Sequence, residues 1–183
     1  MIYLGIIAFV IVLILLYIFF LYNSLVTDRN LVQEAWSGID VELKKRFDLV
    51  PNLVEIVKGY SGYEKSTLEN VTKLRNQVTS SSSVSEKGKL EEQIGGAIKS
   101  IFMLSESYPE LKASSNFLSL QSDLVKLEEG LANQRRYYNG TVRNFNTRLQ
   151  VFPAKLIYKL LGFKLEESFQ ASSEEQTNVK VEV

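Results

Sequence analysis

"LVTDRNLVQEAWSGIDVELKKRFDLV", residues 25–50, sets Leu25, Val32, Trp36, Ile39, Leu43, Phe47 and Val50 at steps that mostly alternate between three and four. That rhythm is the seam of a helix packed against other helices. No Gly or Pro separates this stretch from what precedes it until Gly38. What precedes it is "IYLGIIAFVIVLILLYIFFLY", Ile2–Tyr22, 21 residues without a charge or a strongly polar group. A helix of ~20 apolar residues crosses the ~30 Å of bilayer hydrocarbon. A cleavable signal would want a basic leader, a shorter apolar core and small residues at the cut. Here Tyr17, Phe19, Phe20 and Tyr22 stand where those small residues would be, and Tyr3 and Tyr22 fall where aromatic belts sit. The expectation is a retained transmembrane anchor over residues 1–23 whose helix continues into the domain.

Orientation rests on thin asymmetry. Only the start Met precedes the span, and Arg29, Lys44, Lys45 and Arg46 follow it. Positive flanks favour the cytoplasm, so the expected arrangement is a single-pass protein of a bacterial cell membrane, N-terminus outside and helical domain cytoplasmic.

Further along, Pro51 in "DLVPNLVEIV" is expected to kink or interrupt the first helix. Gly59 and Gly62 mark Lys58–Glu64 as the place where the chain reverses, and Leu68, Val71, Leu74 and Val78 outline a second helix. "TSSSSVSE", Thr79–Glu86, reads as a polar loop with an N-cap at Ser85. A third helix carries Leu90, Ile94, Ala97, Ile101 and Leu104 and ends before Pro109. The fourth and longest, about Ser115–Val151, has its seam on Phe117, Leu120, Leu124, Leu127, Leu131, Tyr138, Val142, Phe145 and Leu149. No stretch alternates with period two. The fold is predicted all-α: a transmembrane helix continuing into an up-and-down antiparallel four-helix bundle over residues 24–151.

Composition narrows the chemistry. The chain has 183 residues, 21 Lys+Arg against 21 Asp+Glu, and only 3 Pro. It contains neither Cys nor His. Disulfides, thiolate metal sites, Ser-His and Cys-His nucleophiles and phosphohistidine are therefore excluded. No Gly-rich phosphate loop is present either. Gly95-Gly96 lies inside a helical pattern and reads as close packing or a local bend. Asp40, Asp48, Glu55 and Glu64 alternate with Lys44, Lys45, Arg46 and Lys58 and read as solvated ion pairs rather than a metal cluster. No cofactor and no metal is expected.

One stretch breaks the charge balance. Residues 135–164 hold seven basic groups and no acid. Arg135, Arg136, Tyr137, Tyr138 and Arg143 interleave as in single-strand binders, but Tyr138 falls on the seam and the chain has no net charge, so no nucleic-acid partner is expected. In an up-and-down order this stretch returns to the membrane. Residues 152–169 are expected to form a short amphipathic basic helix ending the domain, with Leu156, Ile157, Leu160 and Leu161 among Lys155, Lys159 and Lys164. Such a helix either lies on the bilayer or caps the core, and the pattern leaves both open. On the first reading Arg148, Lys155, Lys159 and Lys164 contact the membrane surface. Residues 170–183 are polar, acid-rich and expected to be disordered.

Two long segments carry a resemblance. "YNSLVTDRNLVQEAWSGIDVELKKRFDLVPNLVEIVKGYSGYEKSTLENV", Tyr22–Val71, and "YPELKASSNFLSLQSDLVKLEEGLANQRRYYNGTVRNFNTRLQVFPAKLIYKLLGFKLEESF", Tyr108–Phe169, closely resemble the two halves of the bacterial LemA family. Ser115 stands where the family usually has Glu, and Glu129-Gly130 replaces an Asn-containing pair. The resemblance implies one N-terminal anchor, a small up-and-down helical domain and an outside N-terminus, and it brings no catalytic residue or cofactor. The family shares a historical name with a sensor kinase, yet a chain without His is no histidine kinase. The function expected is that of a non-enzymatic membrane-anchored scaffold or adaptor, acting through protein association that includes homo-oligomers, with Trp36 on the association surface. The alternative is an accessory subunit of a membrane enzyme such as a protease or phosphatase.

Overall fold

The structure, a computed structural model, describes residues 1–59, 65–80 and 84–169. Of the expected reversal over Lys58–Glu64, residues 60–64 lie outside the described residues, as do the centre of the serine loop, the 170–183 tail and the side chains of Leu68, Val78, Ser85 and Leu104. The elements are α1 (Ile2–Lys58), α2 (Lys65–Ser80), α3 (Val84–Ser105), α4 (Pro109–Lys112), α5 (Ser115–Gln150) and α6 (Ala154–Ile157). Among the described residues there is no strand. The fold is all-α.

Several boundaries differ from expectation for local reasons. α1 runs through Pro51 without interruption. Pro51 is exposed, so the carbonyl its ring leaves without a donor can turn to water. Thr79 and Ser80 end α2, and Ser85 falls inside the first turn of α3 instead of capping it. The turn of α4 was not anticipated. Pro109 opens it, where a fixed φ and a missing N–H cost nothing, and Leu111 is buried beneath it.

The chain divides into two compact units. The first holds Met1–Ser37 and Arg136–Ser168. Large side chains from Ile2 to Phe20 stand exposed along its apolar helix, and none of the most apolar 18-residue window is buried within the protein. A soluble core helix would be covered; this one matches hydrocarbon. Beyond it, Asp28 of α1 pairs with Arg148 of α5, and the Trp36 ring lies 5.5 Å from that of Tyr138. As α1 advances its partner on α5 retreats, so the two helices are antiparallel here.

After α5 the chain bends at Val151, passes the cis Phe152–Pro153 bond, and makes helical turns from Ala154 to Leu161. Gly162, at φ +80, ends them. The Gly162 N–H donates to the Lys159 carbonyl and the Phe163 N–H to the Tyr158 carbonyl, the paired bonds of a Schellman cap. The cap turns Phe163 inward, 3 % exposed, with its ring 5.7 Å from Tyr22 and 6.2 Å from Phe145 and the Arg29 guanidinium 5.7 Å above it. The following residues are held by α5. The Asn146 amide donates to the Glu166 carbonyl at 2.8 Å and accepts from the Glu166 N–H at 2.9 Å. Tyr138 donates its hydroxyl to the Glu167 carbonyl at 2.8 Å.

The second unit spans Gly38–Arg135 with Phe169 onward. α2 packs along α3. Asp40 and Arg46 of α1 meet Lys87 and Glu91 of α3 in the same order, so these helices run parallel. Glu91 and Phe102 of α3 meet Arg135 and Phe117 of α5 in reverse order, so those run antiparallel. Ile39, Leu43, Val50, Leu53, Ile94, Ile101, Phe117 and Leu131 fill the core.

Two glycines test the backbone argument with opposite signs. Gly140, inside α5, has open space where a Cβ would point, so Gly140→Ala should stabilise the protein by about 0.5–1 kcal/mol. Gly162→Ala forces a side chain into the left-handed region and should cost about 1–2 kcal/mol. Thermal unfolding of the full-length protein in detergent, followed by circular dichroism, reads both; shifts of the same sign refute the cap assignment. Tyr138→Phe should cost about 1 kcal/mol through the lost bond to Glu167. Burial first, then Glu166 and Glu167, push the Tyr138 hydroxyl up to about 12 from an ordinary 10. Its contribution is therefore complete below pH 10 and lost as pH rises toward 12, a decline absent from the Phe variant.

Candidate functional site

Arg46 sits seven residues from both Ile39 and Leu53, which are fully buried. Helical repetition carries it to the same inward face, where it is 2 % exposed. This corrects the reading that placed it among solvated ion pairs. Its guanidinium pairs with Glu91 of α3 and Glu128 of α5. Glu91, 5 % exposed, also pairs with Arg135 of α5. Two positive and two negative groups thus share one site, which is the condition under which charges can leave water. Ile94 and Ile101 of the expected α3 seam are buried, and Glu91 and Ile98 are buried beside them where Leu90 and Ala97 were expected.

The glycines of α3 belong to this site. A Cβ at Gly95 would stand 3.0 Å from an Arg46 guanidinium nitrogen, whereas one at Gly96 would meet nothing within 4 Å. Gly95 leaves room for the guanidinium. Beside the charges opens a groove of about 400 Å³ between α3 and α5, whose apolar lining is Ile98, Phe102, Leu124 and Val125. Arg46, Glu91, Glu128 and Arg135 also line it, with Glu92 and Lys99. Such a groove can seat an apolar helix face while presenting fixed charges to its flank. Among the described residues no three His, Cys, Asp or Glu side chains gather to a metal-holding group.

Burial and the two guanidiniums act on Glu91 in opposite directions. Burial, the largest influence, raises its carboxyl above the ordinary 4.5; Arg135 and Arg46 pull it down and Glu128 pushes it up, leaving the net shift upward.

The residues predicted from sequence divide. Arg148 is committed inside the first unit, to Asp28 and, at 2.8 Å, to the Ser24 hydroxyl. Lys155, Lys159 and Lys164 are exposed. Trp36 is partly covered by Tyr138. Asp40 pairs with Lys87 at 2.6 Å. Of the interleaved basic and aromatic residues, Arg135 serves the Glu91 pair and lies 5.0 Å from the Phe169 ring, while Tyr138 is buried.

The model of the LemA family matches residues 35–183, which contain the whole charge cluster and both segments bordering the groove. The chain belongs to the LemA family. It is 28% identical over 162 residues to Protein LemA of Metamycoplasma hominis, an alignment covering 86% of this chain and 72% of that protein. It is 22% identical over 175 residues to Magnetosome protein MamQ 2 of Paramagnetospirillum magneticum and 21% identical over 174 residues to Magnetosome protein MamQ of Magnetospirillum gryphiswaldense. Each of these alignments covers 81% of this chain but only 64% of the MamQ relative. With the exposed apolar helix, this makes the chain a membrane-associated helical LemA-family protein.

Removing one member of the cluster strands the rest. Glu91→Ala should cost about 3–5 kcal/mol, whereas Arg46→Met, Glu91→Leu and Arg135→Met together should be neutral or gain about 1–4 kcal/mol. Chemical denaturation of the full chain in detergent compares them, and a single variant as stable as the wild type refutes the buried network. A folded value above the ordinary 4.5 means the protonated carboxyl is favoured on folding. The stability of the wild type relative to Glu91→Gln should thus be greatest below pH 4.5 and decline as pH rises through the folded value.

Proposed function

We propose that this protein is a membrane-anchored scaffold whose helical domain binds other proteins, copies of itself included, and performs no chemistry. The observation that carries this reading is the α3–α5 groove, with its apolar lining and bordering charges. Val125 lines it and is exposed, and Leu118 of α5 and Met103 of α3 are exposed large apolar residues of the same helices. An amphipathic helix of a protein partner is the occupant that matches: its apolar face fills the groove and its polar flanks meet Glu92 and Lys99. Trp36 is retained in the proposal as a second association surface.

The test is a photo-crosslinking amino acid at Val125 of the full-length protein in native membranes, with exposed Lys112 as the control position. Protein adducts at 125 and not at 112 are expected. No adduct at 125 overturns the groove reading. Recurrent capture of a membrane protease or phosphatase replaces the scaffold with an accessory subunit. For self-association, mass photometry of the detergent-solubilised protein over a dilution series should show species above the monomer; a monomer at every concentration refutes it. The domain is proposed to be cytoplasmic. Because the chain has no Cys, Met103→Cys gives one labelling site, and its modification by an impermeant maleimide in intact cells would reverse the orientation.

A further inference from the structure

The first unit exposes apolar surface where its apolar helix ends. Phe152 is 80 %, Leu156 74 % and Leu160 87 % exposed. Leu156 and Leu160 stand four residues apart along the turns that follow Pro153, which places them on one face, and Phe152 precedes them across the cis Phe152–Pro153 bond. The opposite side is committed to the protein: Ala154 and Phe163 are buried. Lys155 and Lys159 alternate with the exposed residues, and Lys159 and Lys164 line a cleft of about 480 Å³ with Tyr158 and Gly162.

The height of this face follows from contacts within the same unit. Arg148 of α5 reaches Ser24 and Asp28 of α1, so the end of α5 stands level with the first residues after the apolar run. Phe163, at the far end of the segment, lies between Tyr22 and Arg29. Both ends of 152–163 are therefore pinned where α1 passes from hydrocarbon into the headgroup region. Three large apolar side chains exposed to water there, flanked by lysines, are the composition of an interfacial helix. The two readings left open by the sequence are thereby separated by residue: Ala154 and Phe163 cap the core, and Phe152, Leu156 and Leu160 do not.

We infer that the Val151–Lys164 turn is a membrane-interface foot: Phe152, Leu156 and Leu160 enter the acyl boundary of an anionic bilayer, and Lys155, Lys159 and Lys164 bind its headgroups. Arg148, bound to Asp28, is not part of it. The occupant is lipid because α1 fixes the face at bilayer height whether or not another protein is present. The foot does not depend on the groove or on any protein partner.

Single cysteines in the otherwise cysteine-free chain test it. Full-length protein carrying Leu156→Cys or Leu160→Cys with a nitroxide label is placed one copy per nanodisc, in phosphatidylcholine alone or with phosphatidylglycerol. Collision rates with oxygen and with a water-soluble nickel chelate give depth, and an exposed Tyr137→Cys label is the aqueous reference. Both foot labels should show an oxygen-to-nickel ratio several-fold above the reference, higher in anionic than in neutral discs. Lys155→Gln with Lys159→Gln and Lys164→Gln should erase the anionic excess and leave the neutral value. Labels as aqueous as position 137 in both discs overturn the foot. Labels shielded from both reagents also overturn it and assign the face to protein. A persisting anionic excess in the triple variant overturns the role of the lysines.

Discussion

A guanidinium cannot be neutralised at any pH the cell reaches, so once α1 carries Arg46 inward, neighbouring helices must supply charge at that level. α3 supplies Glu91 and α5 supplies Glu128. Glu91 in turn draws in Arg135 from the same α5, and α3 must keep Gly95 beside the guanidinium. Apolar contacts alone would tolerate a helix sliding by a turn, about 5.4 Å, because hydrophobic burial has no direction. The charge pairs do not tolerate it. They set the register of α1, α3 and α5, and that register brings Phe102 to Phe117 and leaves the groove open beside them.

What could be read from sequence followed from how each signal is encoded. The apolar run and the seam of α1 are period and composition, and both survive in the structure because nothing else competes for those residues. α5 was bounded almost to the residue, since Ser114-Ser115 and Pro153 punctuate it. The charge cluster was missed because Lys44-Lys45-Arg46 reads as a surface run. The sevenfold spacing Ile39, Arg46, Leu53 was the available signal, and it argues burial only if the seam is trusted over side-chain polarity. Glu91 was left out of the α3 seam for the same reason, a carboxylate being discounted as a core residue. The Arg148 pair with Asp28, 120 positions away, is a contact that no local pattern encodes.

The two basic residue types near the membrane boundary do different work. Arg29 and Arg148 each have a specific partner, an aromatic face and a carboxylate with a hydroxyl, which suits a planar donor of fixed geometry. The lysines of 155–164 are exposed point charges on flexible stems, which suit diffuse attraction better than fixed contacts.

The Asn146–Glu166 contact carries a consequence for how the chain can vary. A side-chain amide there imitates the edge of a strand, giving one donor and one acceptor to a neighbour's main chain. Identity is demanded at one end only. Aspartate at 146 keeps the acceptor and loses the donor, and deamidation of that asparagine in an ageing protein would do the same damage without any change in the gene. At 166 the side chain takes no part in this bond, so every residue but proline satisfies it.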